Sequence, residues 1–174
     1  MDEYRLANIL AVEPEKVREY WEDVKAKDLL KYRIPETLNP TVNDAMEMVV
    51  RMRQSTFAVL DSTGRMIGEC MLENFQGLCA MSHFSVRPEA QGSTAVAMAK
   101  STISQLFSLK RSTDKTLPYI ESLLGLTPLS NKLALRFARN IGYRKLCVIP
   151  NSYWLAYKQT FEDAQLSILE APHG

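Results

Sequence analysis

The sequence predicts an α/β protein of the α+β kind, with one mixed sheet carrying helices on both faces. Three observations carry that expectation. Segments of strand-like and helical periodicity follow one another as β-α-α-β-β-β-α-β-α-β-β, an order that calls for layered packing of helices on a sheet. The 174 residues, 46% of them hydrophobic, suffice for one full core and are too few for two comfortable domains. Near the middle, an apolar stretch at residues 77–86 runs through a tight turn into a helical pattern over residues 95–109.

Residues 4–12 end in Ile9-Leu10-Ala11-Val12 and read as the first strand. Glu13-Pro14-Glu15 opens a helix, with proline where its missing N–H costs nothing and acids near the positive end of the dipole. Its Val17, Tyr20, Trp21, Val24 and Leu29 fall on one face, and residues 33–40, with Pro35, Asn39 and Pro40, read as a loop. A second helix starts near Thr41 and turns Ala45, Met48, Val49 and Met52 inward. Thr56-Phe57-Ala58-Val59-Leu60, the turn Asp61-Ser62-Thr63-Gly64 and a returning strand at residues 65–75 make a hairpin. The strand at 77–86 follows, then the helix that sets Val96, Ala99, Ile103, Leu106 and Phe107 on one side. Residues 111–116 are a polar connection, and residues 119–126 a buried strand. Ser130-Asn131 starts a last helix, with Leu133, Ala134, Phe137, Ala138 and Ile141 on one face and Gly142 as its stop. Two closing strands are expected at 143–149 and 153–157, separated by Pro150-Asn151-Ser152. The polar residues 161–174 are expected as a loose tail, so that a single domain spans 1–174 around a core of about 4–158.

Composition narrows the function classes. A net charge of +1 gives no electrostatic reason to expect a nucleic acid or an anionic membrane as partner. Met1-Asp2-Glu3-Tyr4-Arg5 begins acidic with no apolar run, unlike a signal peptide, and no stretch is long enough to span a bilayer. Cys70, Cys79 and Cys147 lie far apart in apolar strand-like contexts, which predicts reduced, buried thiols in a cytoplasmic protein. Two histidines and scattered cysteines make no zinc site, so no metal is expected. Neither a nucleophile elbow, a Walker loop nor a dinucleotide glycine triplet occurs.

The strand–turn–helix at 86–95 is the most informative feature. A helix start offers several unpaired N–H groups and the positive end of its dipole, a ready seat for a pyrophosphate. Gly92 lets backbone and ligand approach closely, and Ser93 and Thr94 supply caps or hydroxyl donors. An ordinary connection containing one glycine explains the same residues more simply.

Two segments taken together resemble the GCN5-related N-acetyltransferase (GNAT) family. One is the Val-x-Pro-x-x-Gln-Gly turn of Val86, Pro88, Gln91 and Gly92; the other is Asn131-Lys132-Leu133-Ala134 with Ile141-Gly142-Tyr143. The element order fits over most of residues 4–158. The resemblance implies a mostly antiparallel sheet of about seven strands, splayed between the fourth (78–86) and the fifth (119–126). It further implies that Gln91, Gly92, Ser93, Thr94 and Ala95 wrap the pyrophosphate of acetyl-coenzyme A as cosubstrate. The backbone near Val86 would then pair with the pantetheine arm, with Asn131 assisting. The acceptor would be a small-molecule or peptide amine, and a homodimer stays open.

The chain also departs from the family pattern. Thr94 and Val96 stand where the loop usually has glycine or alanine, and Ala138 where a tyrosine commonly protonates the leaving thiolate. His83 is the ionisable residue on the fourth strand and the candidate general base, on the opposite face from Ser82 by strand alternation. Glu69 and Glu73 share one face of the preceding strand, where solvation at an edge is the simpler expectation; Glu121 is a further candidate base. Two readings therefore stand side by side. One is acetyl-coenzyme A-dependent transfer to a primary amine by direct attack. The other is a non-catalytic binding or assembly module of the same fold, of the kind found in phage and mobile-element genomes. They separate on whether Val96 or Arg87 fills the space above the 92–96 turn.

Overall fold

A computed structural model describes residues 3–172. The terminal residues Met1 and Asp2, and the His173-Gly174 end of the expected tail, lie outside the described residues.

Seven strands form one sheet: β1 (Arg5–Asn8), β2 (Thr56–Leu60), β3 (Met66–Gln76), β4 (Cys79–Val86), β5 (Ser122–Pro128), β6 (Arg144–Leu155) and β7 (Thr160–Glu170). Their spatial order is β1-β2-β3-β4-β5-β7-β6, antiparallel throughout except for the parallel β4–β5 pair. The helices are α1 (Pro14–Ala26), α2 (Leu30–Arg33), α3 (Val42–Arg51), α4 (Ser93–Ser108) and α5 (Lys132–Asn140). This is the mixed, mostly antiparallel architecture expected from the sequence.

Local chemistry fixes the boundaries. Thr41 and Asp44 form a reciprocal capping box at the start of α3, the Thr41 hydroxyl accepting from the Asp44 N–H and the Asp44 carboxylate from the Thr41 N–H. In the β2–β3 turn the Asp61 carboxylate accepts from the N–H groups of Thr63 and Arg65, and Gly64 takes a positive φ.

Cores lie on both faces. On one, Val17, Tyr20, Trp21 and Val24 of α1 and Ala45, Met48 and Val49 of α3 pack on Ala58, Leu60 and Met71. On the other, Ala99, Ile103 and Leu106 of α4 pack on Phe57, Cys70, Leu72, Ala80 and Leu123.

The structure corrects five expectations. The first strand stops at Asn8, whose side chain accepts from Leu10 N–H and starts a 3₁₀ turn through Ile9–Ala11. The last strand is not at 153–157. Residues 144–155 form one long strand through Pro150-Asn151-Ser152, with register shifts absorbing the proline, and the segment expected as a tail is β7. Strand β7 sits between β5 and β6, so its backbone pairs on both sides. Its apolar Ala164, Leu166, Ile168 and Leu169 lie from its middle onward, with Leu169 packed on the α4-side core, and the polar residues around them hide the strand from composition alone. Leu133, expected on the inner face of α5, is 75% exposed, and α5 buries none of its residues. Cys147 is exposed because β6 is an edge strand.

Candidate active site

The sheet splits at its centre. Strands β4 and β5 are in register only at Cys79–Ser122, Ala80–Leu123 and Met81–Leu124. Beyond these, β4 stays paired to β3 as far as Val86, and β5 stays paired to β7 as far as Pro128. Each strand follows its outer neighbour, so Ser82–Val86 and Gly125–Pro128 diverge with backbone groups free to pair with an extended ligand arm.

A pair of hydroxyls sits at the apex. Ser82 Oγ donates to the Leu124 carbonyl at 2.8 Å and lies 2.6 Å from the Tyr143 phenol oxygen. The serine proton is committed to the carbonyl, so the phenol donates to the serine. Burial pushes the Tyr143 phenol well up, which keeps that donor protonated. The Tyr143 ring packs over Gly125, where a Cβ would make ordinary van der Waals contact with Cε1 at 3.4 Å. Tyr143 thereby bridges the two strands through Ser82 where their pairing ends.

The turn after β4 opens towards solvent. Pro88–Ala90 is a single 3₁₀ turn, and Gly92 caps α4 at φ 77°, ψ −133°, a region that favours glycine. No side chain caps this helix, and the first bond of α4 is Val96 N–H to the Gly92 carbonyl. The N–H groups of Ser93, Thr94 and Ala95 thus point along the helix axis without an intrahelical acceptor. Gln91, Gly92, Ser93 and Thr94 are exposed, and a Cβ at Gly92 would meet nothing within 4 Å. Val96 packs into the α4-side core and Arg87 is buried towards α1, so neither fills the space above the turn. Asn131 stands at the start of α5, where its Oδ1 accepts from Ala134 N–H at 3.1 Å.

On the α1 side of the same strand, His83 Nε2 lies 2.7 Å from Glu73 Oε1, both groups partly exposed. The histidine hydrogen bond holds the Glu73 carboxyl below its ordinary value of 4.5. An ionised carboxylate only accepts, so His83 Nε2 carries the proton in this contact. Deeper on this face Arg33 pairs with the fully buried Glu69, Nε to Oε2 at 3.2 Å, and also donates to Met71 Sδ. Glu69 and Glu73 do share a face, as parity requires, but solvation at an edge is not the reason: Glu69 is 0% exposed and balanced by Arg33. The Tyr20 phenol is buried beside this pair, its pKa pushed up by desolvation.

Three residues here owe their roles to contacts that no sequence motif specifies. Arg33, Tyr143 and Arg87 are each fixed by partners distant in sequence, and Arg87, 1% exposed, is the largest charged side chain buried in the core.

No protein-family model matches the sequence, and no curated protein sequence matches it significantly. Solved structures do match over nearly the whole chain. An acetyltransferase of the GNAT family from Bacillus anthracis superposes with a TM-score of 0.73 at 16% identity, covering 97% of this chain and 95% of the other. The spermidine N-acetyltransferase of Vibrio cholerae, solved in complex with CoA and spermine, gives 0.71 at 14% identity over 98% and 96%. The ribosomal-protein-S5-alanine acetyltransferase of Vibrio fischeri gives 0.69 at 12% identity over 99% and 95%. The chain has the fold of the GCN5-related N-acetyltransferases.

Proposed function

We propose that this protein transfers an acetyl group from acetyl-coenzyme A to a primary amine by direct attack. The observation that carries the proposal is the conjunction of the β4–β5 split with an open, glycine-capped helix start at its end. The pyrophosphate seats on the N–H groups of Ser93, Thr94 and Ala95, with Gln91 and Gly92 forming the rim. The pantetheine arm runs along the free edge of β4 near Val86. Asn131 spends its Oδ1 on the helix cap and offers its amide N–H groups to the coenzyme. Thr94 and Val96 do not bar this arrangement, since one side chain faces solvent and the other the core. The unfilled space above the turn supports this reading over a non-catalytic module of the same fold, which Ala138 alone still motivates.

The acceptor amine approaches from the α1 side, where Glu73 draws its ammonium form and His83 Nδ1 takes the proton that must leave. The neutral nitrogen attacks the thioester carbonyl, the C–N bond forms, the C–S bond breaks, and the coenzyme departs as its thiolate. As the intermediate collapses the attacking nitrogen releases its second proton to solvent, and because Ala138 supplies no phenol the leaving thiolate takes one proton back from solvent. Holding both reactants at the split supplies most of the acceleration, and the base adds about 10²-fold or more. Calorimetric titration with acetyl-coenzyme A, followed by thiol-release assays over a panel of small amines and N-terminal peptides, tests the reading. Binding in the micromolar range and amine-dependent thiol release are expected. No binding at millimolar coenzyme rejects it.

A further inference from the structure

The charge cluster behind the turn carries a further inference, resting on the reading above. Arg87 is the residue between the last residue of β4 and the turn, and every polar group it has is engaged. Its N–H donates to the Ile67 carbonyl at 2.9 Å and its carbonyl accepts from Ala90 N–H at 3.0 Å. Its side chain passes to the other face of the sheet. There Nε donates to the Met66 carbonyl at 2.6 Å, Nη1 pairs with Asp23, and Nη2 pairs with Glu19 at 3.1 Å. The guanidinium lies 5.9 Å from the Tyr20 ring centre. Arg65 bridges the same carboxylates and reaches Glu89 inside the turn at 2.9 Å. Glu19, Tyr20 and Asp23 all belong to α1. Gln91, Gly92, Ser93 and Thr94 are exposed, so the turn's charged anchors reach it from behind, through Arg87 and through Glu89, towards α1.

We infer that Arg87 is a positioning residue that couples α1 to the coenzyme-binding turn. Tyr20 of α1 also lies beside the Arg33–Glu69 pair, on the sheet face that holds His83, so a coenzyme seated on the turn orders that wall of the amine cleft through this cluster. Coupling between sites is reciprocal, and an ordered α1 in turn favours the coenzyme. The test uses the full chain with acetyl-coenzyme A as probe. In the wild type, the coenzyme should slow amide hydrogen exchange both at residues 90–96 and along α1. Arg87→Met, and separately Glu19→Gln/Asp23→Asn, should raise the coenzyme Kd at least tenfold in protein that remains folded by circular dichroism. Both should abolish the α1 protection while leaving that of the turn detectable at saturation, and Arg87→Lys should restore part of it. A purely structural role would lower Tm without changing which segments the coenzyme protects. Variants that bind as tightly as wild type, or a wild type whose α1 is unprotected, overturn the coupling and leave the enzyme reading standing. A wild type that binds no coenzyme overturns both. If Arg87→Met does not fold, the carboxylate variants decide alone, since Glu19 and Asp23 are partly exposed.

Discussion

Replacing Gly92 separates backbone from side-chain effects at the turn. The residue sits at φ 77°, ψ −133°, and a methyl group there would touch nothing within 4 Å, so an L-alanine costs conformational energy without a clash. Residues held in such glycine-favouring regions cost about 1–3 kcal/mol. For a chain of this size that lowers Tm by about 2–12 °C. The mirror image of this conformation, both signs reversed, falls in the ordinary extended region, so a D-alanine at 92 is unstrained. By restricting the unfolded chain it should stabilise by about 0.4–1 kcal/mol. Chemical ligation delivers both epimers, and calorimetric unfolding compares them with the parent. Gly92→Ala should melt lower than wild type and the D-alanine protein slightly higher. Equal shifts for the two epimers would show that something other than backbone handedness governs the site. Acetyl-coenzyme A affinity should fall at least tenfold for the L-epimer, because relaxing the strain rotates the N–H groups of Ser93 and Thr94 off the phosphate.

Further expectations rest on single interactions. Arg33→Met leaves Glu69 charged and buried, which costs about 3–5 kcal/mol; urea unfolding should recover most of that in Arg33→Met/Glu69→Met, and an unchanged midpoint in the single variant refutes the pairing. Thr41→Ala removes half of the capping box and should cost about 1 kcal/mol by the same assay, with no effect on coenzyme binding. Glu73 titrates below its ordinary value when folded, so its contribution is present above that value and lost as pH falls through the lowered one. The stability gap between wild type and Glu73→Gln should therefore be widest near neutrality and close in acid; a gap independent of pH contradicts the His83 contact.

The order of elements was legible because period alone distinguishes them: Val17, Tyr20, Trp21 and Val24 repeat at helical spacing, while Thr56–Leu60 is a continuous apolar run. Strand β7 was not legible. Its Glu162, Asp163 and Gln165 read as solvent-facing and mask the apolar Ala164, Leu166, Ile168 and Leu169, while its place is set by pairing with β5 and β6 on either side. The same holds for the end of β1, where a side-chain cap from Asn8 cut short a run that hydropathy would have continued.

The candidate site divides along the same line. The turn could be read from Val86, Pro88, Gln91 and Gly92 because its chemistry is local: a strand end, a residue free at positive φ, and a helix start. Its support could not. Arg87 lies 64 and 68 residues from the α1 carboxylates that bury it, and nothing near it distinguishes a buried arginine from a solvated one. His83 shows the intermediate case. Parity placed it on the face opposite Ser82, correctly, but its chemical character depends on Glu73, ten residues away across the β3–β4 hairpin. The hairpin register brings His83 opposite Met71, and Glu73 lies one same-face position further along β3. A diagonal neighbour of that kind is within reach of long side chains. Once the hairpin is recognised, the pair follows from counting. The network behind the turn does not, because it depends on how α1 lies across the sheet, which is decided by packing of Tyr20 and Trp21 and not by the charges that the packing brings together.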